Sequence, residues 1–115
     1  MADDTIFDKI IRKEIPADIV YEDETVLAFR DINPQAPVHV VVIPKKKITG
    51  FDRISDLPAD FTGRYMAGVA AAAAKVGLVK NGYRVVFNMG KDGQQTVEYI
   101  HAHILGGRQL GWPPG

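Results

Sequence analysis

The chain has 115 residues, 46% hydrophobic and 24% charged, and its 14 basic and 14 acidic side chains cancel. A length of this order supports one buried core, so residues 1–115 read as a single domain. The balanced charge leaves no field to draw in a nucleic-acid polymer or an anionic membrane, and the absence of cysteine excludes disulfides, thiolate catalysis and thiolate zinc sites together.

The chain opens acidic and polar where a secretory leader would be basic and then apolar. Thr5 is a candidate cap for a short helix whose apolar face is Ile6, Phe7, Ile10 and Ile11 and which must end before Pro16. Residues 19–21 and 26–29 are predicted strands joined by the acidic turn 22–24, a hairpin. Pro34 and Pro37 make residues 31–37 a loop. Residues 39–43 follow, β-branched almost throughout, the pattern of a strand buried on both faces.

One long alanine-rich helix is predicted from Pro58 to Val76, with Gly77 ending it; Gly63 and Gly68 inside it suggest close packing against another element. Asn81-Gly82 is a turn, 83–87 a strand, 88–95 a glycine-bearing loop, and 97–105 the last strand. The longest small-apolar run, 66–74, is far short of the roughly 20 residues that span a bilayer. The expected class is therefore α+β, an antiparallel sheet of about five strands with one short and one long helix, in a cytoplasmic protein.

The last strand holds two of the three histidines, in "YIHAHIL" at residues 99–105. Strand geometry puts His101 and His103 on one face about 7 Å apart, with Tyr99 beside them, while Ile100, Ala102 and Ile104 turn to the other face. His39 opens a strand that can lie alongside. Polar decoration of a solvated strand is the bland alternative, weakened because all three histidines fall in strands and because glycine loops flank the pair.

Two chemistries use such a cluster. Three imidazoles can hold zinc with a position left for water. Alternatively, a neutral imidazole attacks phosphorus without the repulsion a carboxylate nucleophile would meet, and a second, protonated histidine holds the developing charge or protonates the leaving group.

The heptapeptide resembles the signature of the histidine-triad (HIT) family, and the chain around it resembles the HINT branch, the histidine-triad nucleotide-binding proteins. Matching segments run from Ile6-Phe7 through residues 9–17, 29–39 and 42–46 to Leu105-Gly106-Gly107-Arg108-Gln109 and Trp112-Pro113-Pro114-Gly115. The resemblance implies a single HIT domain with a C-terminal tail at 106–115. It also implies hydrolysis of purine nucleoside phosphoramidates or related nucleotidyl adducts, with neither metal nor cofactor.

By the same resemblance His101 is the nucleophile, His103 contacts the phosphate or leaving group, Thr96 stands where the branch usually has serine, and His39 supports the site. Asp31 takes the ribose hydroxyls. Ile6, Phe7, Ile10, Phe29 and Ile32 wall the base, and Asn88, Gln94 and Gln95 lie near the phosphate. The family forms homodimers in which the tail, here carrying Trp112, reaches the partner's site. Tyr99 occupies the first histidine position, which predicts an altered rate or pH dependence. Two other functions compete: a nucleotide-binding regulatory module with vestigial catalysis, and a three-histidine metal hydrolase.

Overall fold

The computed structural model describes residues 4–115; the acidic start at 1–3 lies outside them. Helix α1 (Ile6–Ile11) begins where Thr5 caps it, its hydroxyl accepting the N–H groups of Phe7 and Asp8 at 3.2 and 3.3 Å while the Asp8 carboxylate accepts the Thr5 N–H at 2.7 Å. This reciprocal capping box satisfies amides that a six-residue helix leaves unpaired. Lys47 then pairs with Asp8 at 3.0 Å and fastens the helix to the rest of the chain.

Strands β1 (Ile19–Glu22) and β2 (Val26–Arg30) form the expected hairpin. Its turn is held by Asp23, whose Oδ1 accepts from Thr25 and Val26 at 2.7 and 2.9 Å. Strand β3 (Val38–Pro44) is buried at every position after the first. A short 3-10 turn at Phe51–Asp56, which the sequence pattern did not signal, precedes α2 (Ala59–Lys75). Gly77, at φ +79°, lies just beyond the helix in the left-handed conformation that favours glycine.

Strands β4 (Tyr83–Phe87) and β5 (Ala102–Gly106) complete an antiparallel five-stranded sheet in the order β1-β2-β3-β5-β4. The last strand thus starts five residues later than the expected 97. Val42 faces Ala102 in the β3–β5 register, which would set residue 100 against Pro44, a residue with no N–H to donate. Ile100 instead donates to the Ile48 carbonyl at 2.6 Å, outside the sheet.

Side-chain alternation divides the buried residues into two clusters. On one face Val26, Ala28, Val40, Val42, Ala102 and Ile104 pack with Tyr65, Val69, Ala72 and Ala73 of α2. On the other, Leu27, Phe29, Val41 and Ile43 pack with Tyr99 and with Phe7 and Ile10 of α1. The two helix glycines part company here. A Cβ on Gly68 would meet the Val26 methyls at 2.7 Å, so that residue marks a close approach, whereas one on Gly63 would meet nothing within 4 Å. Among the described residues no helix is long and apolar enough to cross a membrane.

Candidate active site

The sheet face away from α2 carries a cavity of about 410 Å³. Its apolar wall comes from Ile6, Phe7 and Ile10 of α1, Ile15, Pro16 and Ala17, Phe29 of β2, Val41 of β3 and Val97; Asp31, Ile32, Thr96, His101 and His103 also line it. A short capped helix laid across a sheet makes one side of this slot, and the alternation of β2 and β3 makes its floor.

His101 is buried, with the Phe7 ring edge-on at 4.9 Å between centroids. Its Nδ1 lies 2.7 Å from the Tyr99 carbonyl, so Nδ1–H donates and the neutral ring keeps its lone pair on Nε2. Burial pushes its pKa below the ordinary histidine value, against the opposing pull of that carbonyl and of Asp31.

A second chain of bonds fixes the other two rings. The Gln35 N–H donates to His39 Nδ1 at 3.0 Å, which leaves the His39 proton on Nε2. That nitrogen lies 2.9 Å from His103 Nδ1 and 3.4 Å from Asp31 Oδ2. When His39 donates to His103 Nδ1, the neutral His103 ring carries its proton on Nε2. Burial, then the neighbouring His101 and His39, holds His103 down to about 4. So low a proton affinity runs against the protonated second histidine expected from the sequence: three crowded, partly desolvated imidazoles oppose charge, and a phosphate anion beside the ring is what would raise it.

Tyr99 meets the site through its main chain. Its side chain is fully buried in the apolar cluster, its hydroxyl donates to the Pro44 carbonyl at 2.5 Å, and burial raises its pKa further from neutrality. What position 99 gives His101 is a main-chain carbonyl, which any residue supplies.

Of the sequence-derived site residues, His101, His103, Asp31, Ile32, Thr96, Ile6, Phe7, Ile10 and Phe29 line one cavity, and His39 adjoins it through His103. Asn88, Gln94, Gln95 and Trp112 do not line it. The Gln95 amide is occupied as a brace: Oε1 accepts from Gly90 N–H, and Nε2 donates to the Thr49 and Val97 carbonyls at 2.8 and 3.1 Å. Trp112 is 82% exposed on the tail. The sequence reading missed the Gln35 amide and the Ile15-Pro16-Ala17 wall; the prolines at 16, 34 and 37 were the available signal, since each stiffens the backbone beside one of these features.

The fold and site together define an α+β protein with a neutral histidine pair at the end of an apolar slot. The chain belongs to the HIT family, whose domain model, described as HIT domain, matches residues 12–110. It is 56% identical over 113 residues to the 14 kDa zinc-binding protein of Zea mays, covering 96% of this chain and 88% of that one. It is 50% identical over 113 residues to adenylylsulfatase HINT1 of Arabidopsis thaliana, covering 96% and 76%. Among solved structures, a HIT family hydrolase from Legionella pneumophila Philadelphia 1 superposes with a TM-score of 0.91 at 46% identity, covering 97% of this chain and all (100%) of that one.

The maize relative's name raises the question of a metal. Asp31, His39 and His103 each offer one donor atom, all within 4.8 Å of one another. Two nitrogens on a tetrahedral zinc with bonds of 2.0–2.1 Å would sit roughly 3.3 Å apart, against the 2.9 Å between His39 Nε2 and His103 Nδ1. The donor set fits zinc chemically, provided the metal replaces the shared proton and the rings part by about 0.4 Å. His101 stands outside the set, its Nδ1 committed to the Tyr99 carbonyl.

Proposed function

We propose that the protein hydrolyses purine nucleoside phosphoramidates and related nucleotidyl adducts at the α-phosphorus, through a nucleotidyl intermediate on His101. The observation that carries this reading is the Nδ1–H bond from His101 to the Tyr99 carbonyl, which leaves a buried, neutral Nε2 lone pair. In the first step His101 Nε2 bonds to phosphorus and the P–N bond breaks, its electron pair going to the departing amine. His103 Nε2–H, or the Thr96 hydroxyl, donates to the phosphate oxygens or the leaving nitrogen. Water then attacks phosphorus, releasing the nucleoside monophosphate and returning His101.

The apolar slot suits a purine between side chains of α1, Phe29 and the exposed Ile32, and Asp31 at its mouth suits the ribose hydroxyls. The Arabidopsis relative, named an adenylylsulfatase, agrees in reaction class. A homodimer is part of the proposal: β4 lies at the sheet edge with Tyr83 and Val85 exposed, and Gly63 and Trp112 lack a protomer-internal use. Against the vestigial-catalyst alternative stands the burial of the Tyr99 phenol away from the imidazoles.

The test is turnover of an adenosine phosphoramidate. His101→Ala should lose at least about a thousandfold in kcat/KM, and mass spectrometry of quenched wild type should show a nucleotidylated chain; unchanged turnover in the variant would sink the assignment. A second reading, zinc at Asp31, His39 and His103, is favoured by their clustered donor atoms. Undiminished turnover in strong chelator would exclude zinc from the reaction, and calorimetric titration with zinc would show whether the cluster binds it at all.

A further inference from the structure

The loop between β4 and β5 is a strained segment held by one side chain. Gln94 stands at φ +57°, a left-handed conformation that a residue with a Cβ keeps only when its surroundings impose it. The turn before it is so tight that a Cβ on Gly93 would meet the Met89 carbonyl at 2.5 Å. The next residue supplies the restraint. Gln95 bonds Gly90 twice, its N–H donating to the Gly90 carbonyl at 3.0 Å and its Oε1 accepting the Gly90 N–H at 3.0 Å. Its Nε2 donates to two further carbonyls, Thr49 at 2.8 Å and Val97 at 3.1 Å, so no proton of the amide is left for a ligand.

These bonds bracket Thr96. The chain is fixed just before it at the Gln95 N–H and just after it at the Val97 carbonyl, and the Gln95 amide ties both to Thr49, outside the loop. The Val97 carbonyl also accepts the Tyr99 N–H at 2.8 Å, and the Tyr99 carbonyl accepts from His101 Nδ1 at 2.7 Å, so the same frame runs on to the nucleophile. Thr96 lines the cavity that His101 and His103 line, and its hydroxyl has no hydrogen-bond partner among the described residues. Its neighbours are clamped while the hydroxyl itself stays open to the slot.

We propose that Gln95 is a positioning residue for the leaving group: it holds the Thr96 hydroxyl where that group donates a hydrogen bond to the departing nitrogen, and it touches no part of the substrate itself. This deepens the function proposed above and rests on its reading of Thr96 as a leaving-group donor. The consequence is selective. As the P–N bond breaks, its electron pair collects on nitrogen, and a donor already in place there binds more strongly as the charge develops. A leaving group that carries its charge unaided, such as p-nitrophenolate, has no use for that donor. Misplacing Thr96 therefore slows amines and spares the phenolate.

The test compares kcat/KM for an adenosine 5′-phosphoramidate of an alkylamine with that for adenosine 5′-(p-nitrophenyl) phosphate, two substrates that leave the same nucleotide on His101. Gln95→Ala should lower the value for the amine about thirtyfold, within what a misplacement of about 1 Å can cost, and that for the ester less than about threefold. Gln95→Glu keeps the volume and an oxygen for the Gly90 N–H but turns a carboxylate oxygen toward two carbonyls, and it should lose as much as the alanine variant. Thr96→Ala should show the same selectivity, and adding Gln95→Ala to it should cost less than about twofold more, because the brace then has nothing to position. Equal losses on the two substrates, wild-type activity in Gln95→Glu, or full additivity with Thr96→Ala would overturn the inference.

Amide hydrogen exchange checks the brace without turnover. The Gly90 amide should exchange at least about tenfold faster in Gln95→Ala, with the amides of β5 unchanged. Unaltered exchange at Gly90, or lost protection throughout β5, would overturn the positioning role. If the wild type cleaves the ester and not the amine, the phosphoramidase reading fails and the inference falls with it. If it cleaves both and Gln95→Ala slows them equally, that reading stands and only the role of Gln95 falls.

Discussion

The two faces of the sheet are built from the same strands and do opposite work. Each places a buried tyrosine hydroxyl on a β3 carbonyl, Tyr65 on Val42 at 2.9 Å and Tyr99 on Pro44 at 2.5 Å. Beyond that likeness they diverge. The α2 face is filled by aliphatic side chains, Ala72 and Ala73 closing on Val40, Val42 and Ile104. On the α1 face the same alternation that yields Val41 and Ile43 also yields His39 and His103, and the covering helix has only six residues. A long helix seals one face; a short one leaves a slot beside the imidazoles on the other. The difference teaches that the site is the incompletely covered half of a two-layer core, stabilised by the half that is complete.

The largest effect should separate the faces outright. His101→Ala should abolish turnover while costing less stability than loss of a core aromatic, because the ring is packed at the cluster's edge against Phe7 and not inside it; a collapse in stability would mean that the two faces are not separable. Tyr99→Ala should do the reverse, costing about 3–5 kcal/mol in denaturant unfolding, as expected for a large buried aromatic. Comparable loss from Tyr65→Ala would show the tyrosines to be equivalent struts.

pH should act mainly through the α1 face. His39 and His101 are nearly buried, and burial holds both below the ordinary histidine value of 6.5, as it does His103. A folded pKa below the unfolded one means that the unfolded chain binds more protons between the two. Stability should therefore be level above about pH 6.5 and fall as pH drops toward 4, by at most roughly 1.4 kcal/mol per pH unit per histidine. Denaturant midpoints at pH 7.5 and 5 check this; equal values would contradict the neutral-cluster description. Activity should share that direction, with kcat/KM falling on an acid limb below pH 6.5 as His101 takes up a proton.

The smallest effect expected is from Tyr99→His. Since position 99 serves His101 through its carbonyl, kcat should change less than about threefold, and a rise of several orders of magnitude would mean that the tyrosine disables the site.

Much of this was legible in the residues. The two-residue spacing of His101 and His103 put both on one side although His101 precedes β5, the β-branched run at 40–43 marked the central strand, and Thr5 capped α1 as its residue type implied. What escaped was decided by backbone groups contributed from afar. Neither the Gln35 amide that sets the His39 tautomer nor the Tyr99 carbonyl that sets that of His101 has a side-chain signature. The late start of β5 likewise depends on Pro44 of another strand. Position 99 makes the same point, since its contact to His101 comes from the main chain and not from the phenol.

Ile32 gives the slot a thermodynamic signature. It lines the cavity yet is 97% exposed in the free protein, so its apolar surface is still in water when the ligand arrives. Sequestering that surface on binding should lower the heat capacity of the complex. Nucleotide titrations at several temperatures should show the enthalpy growing more favourable on warming, and Ile32→Ala should flatten that slope more than it weakens binding at any single temperature.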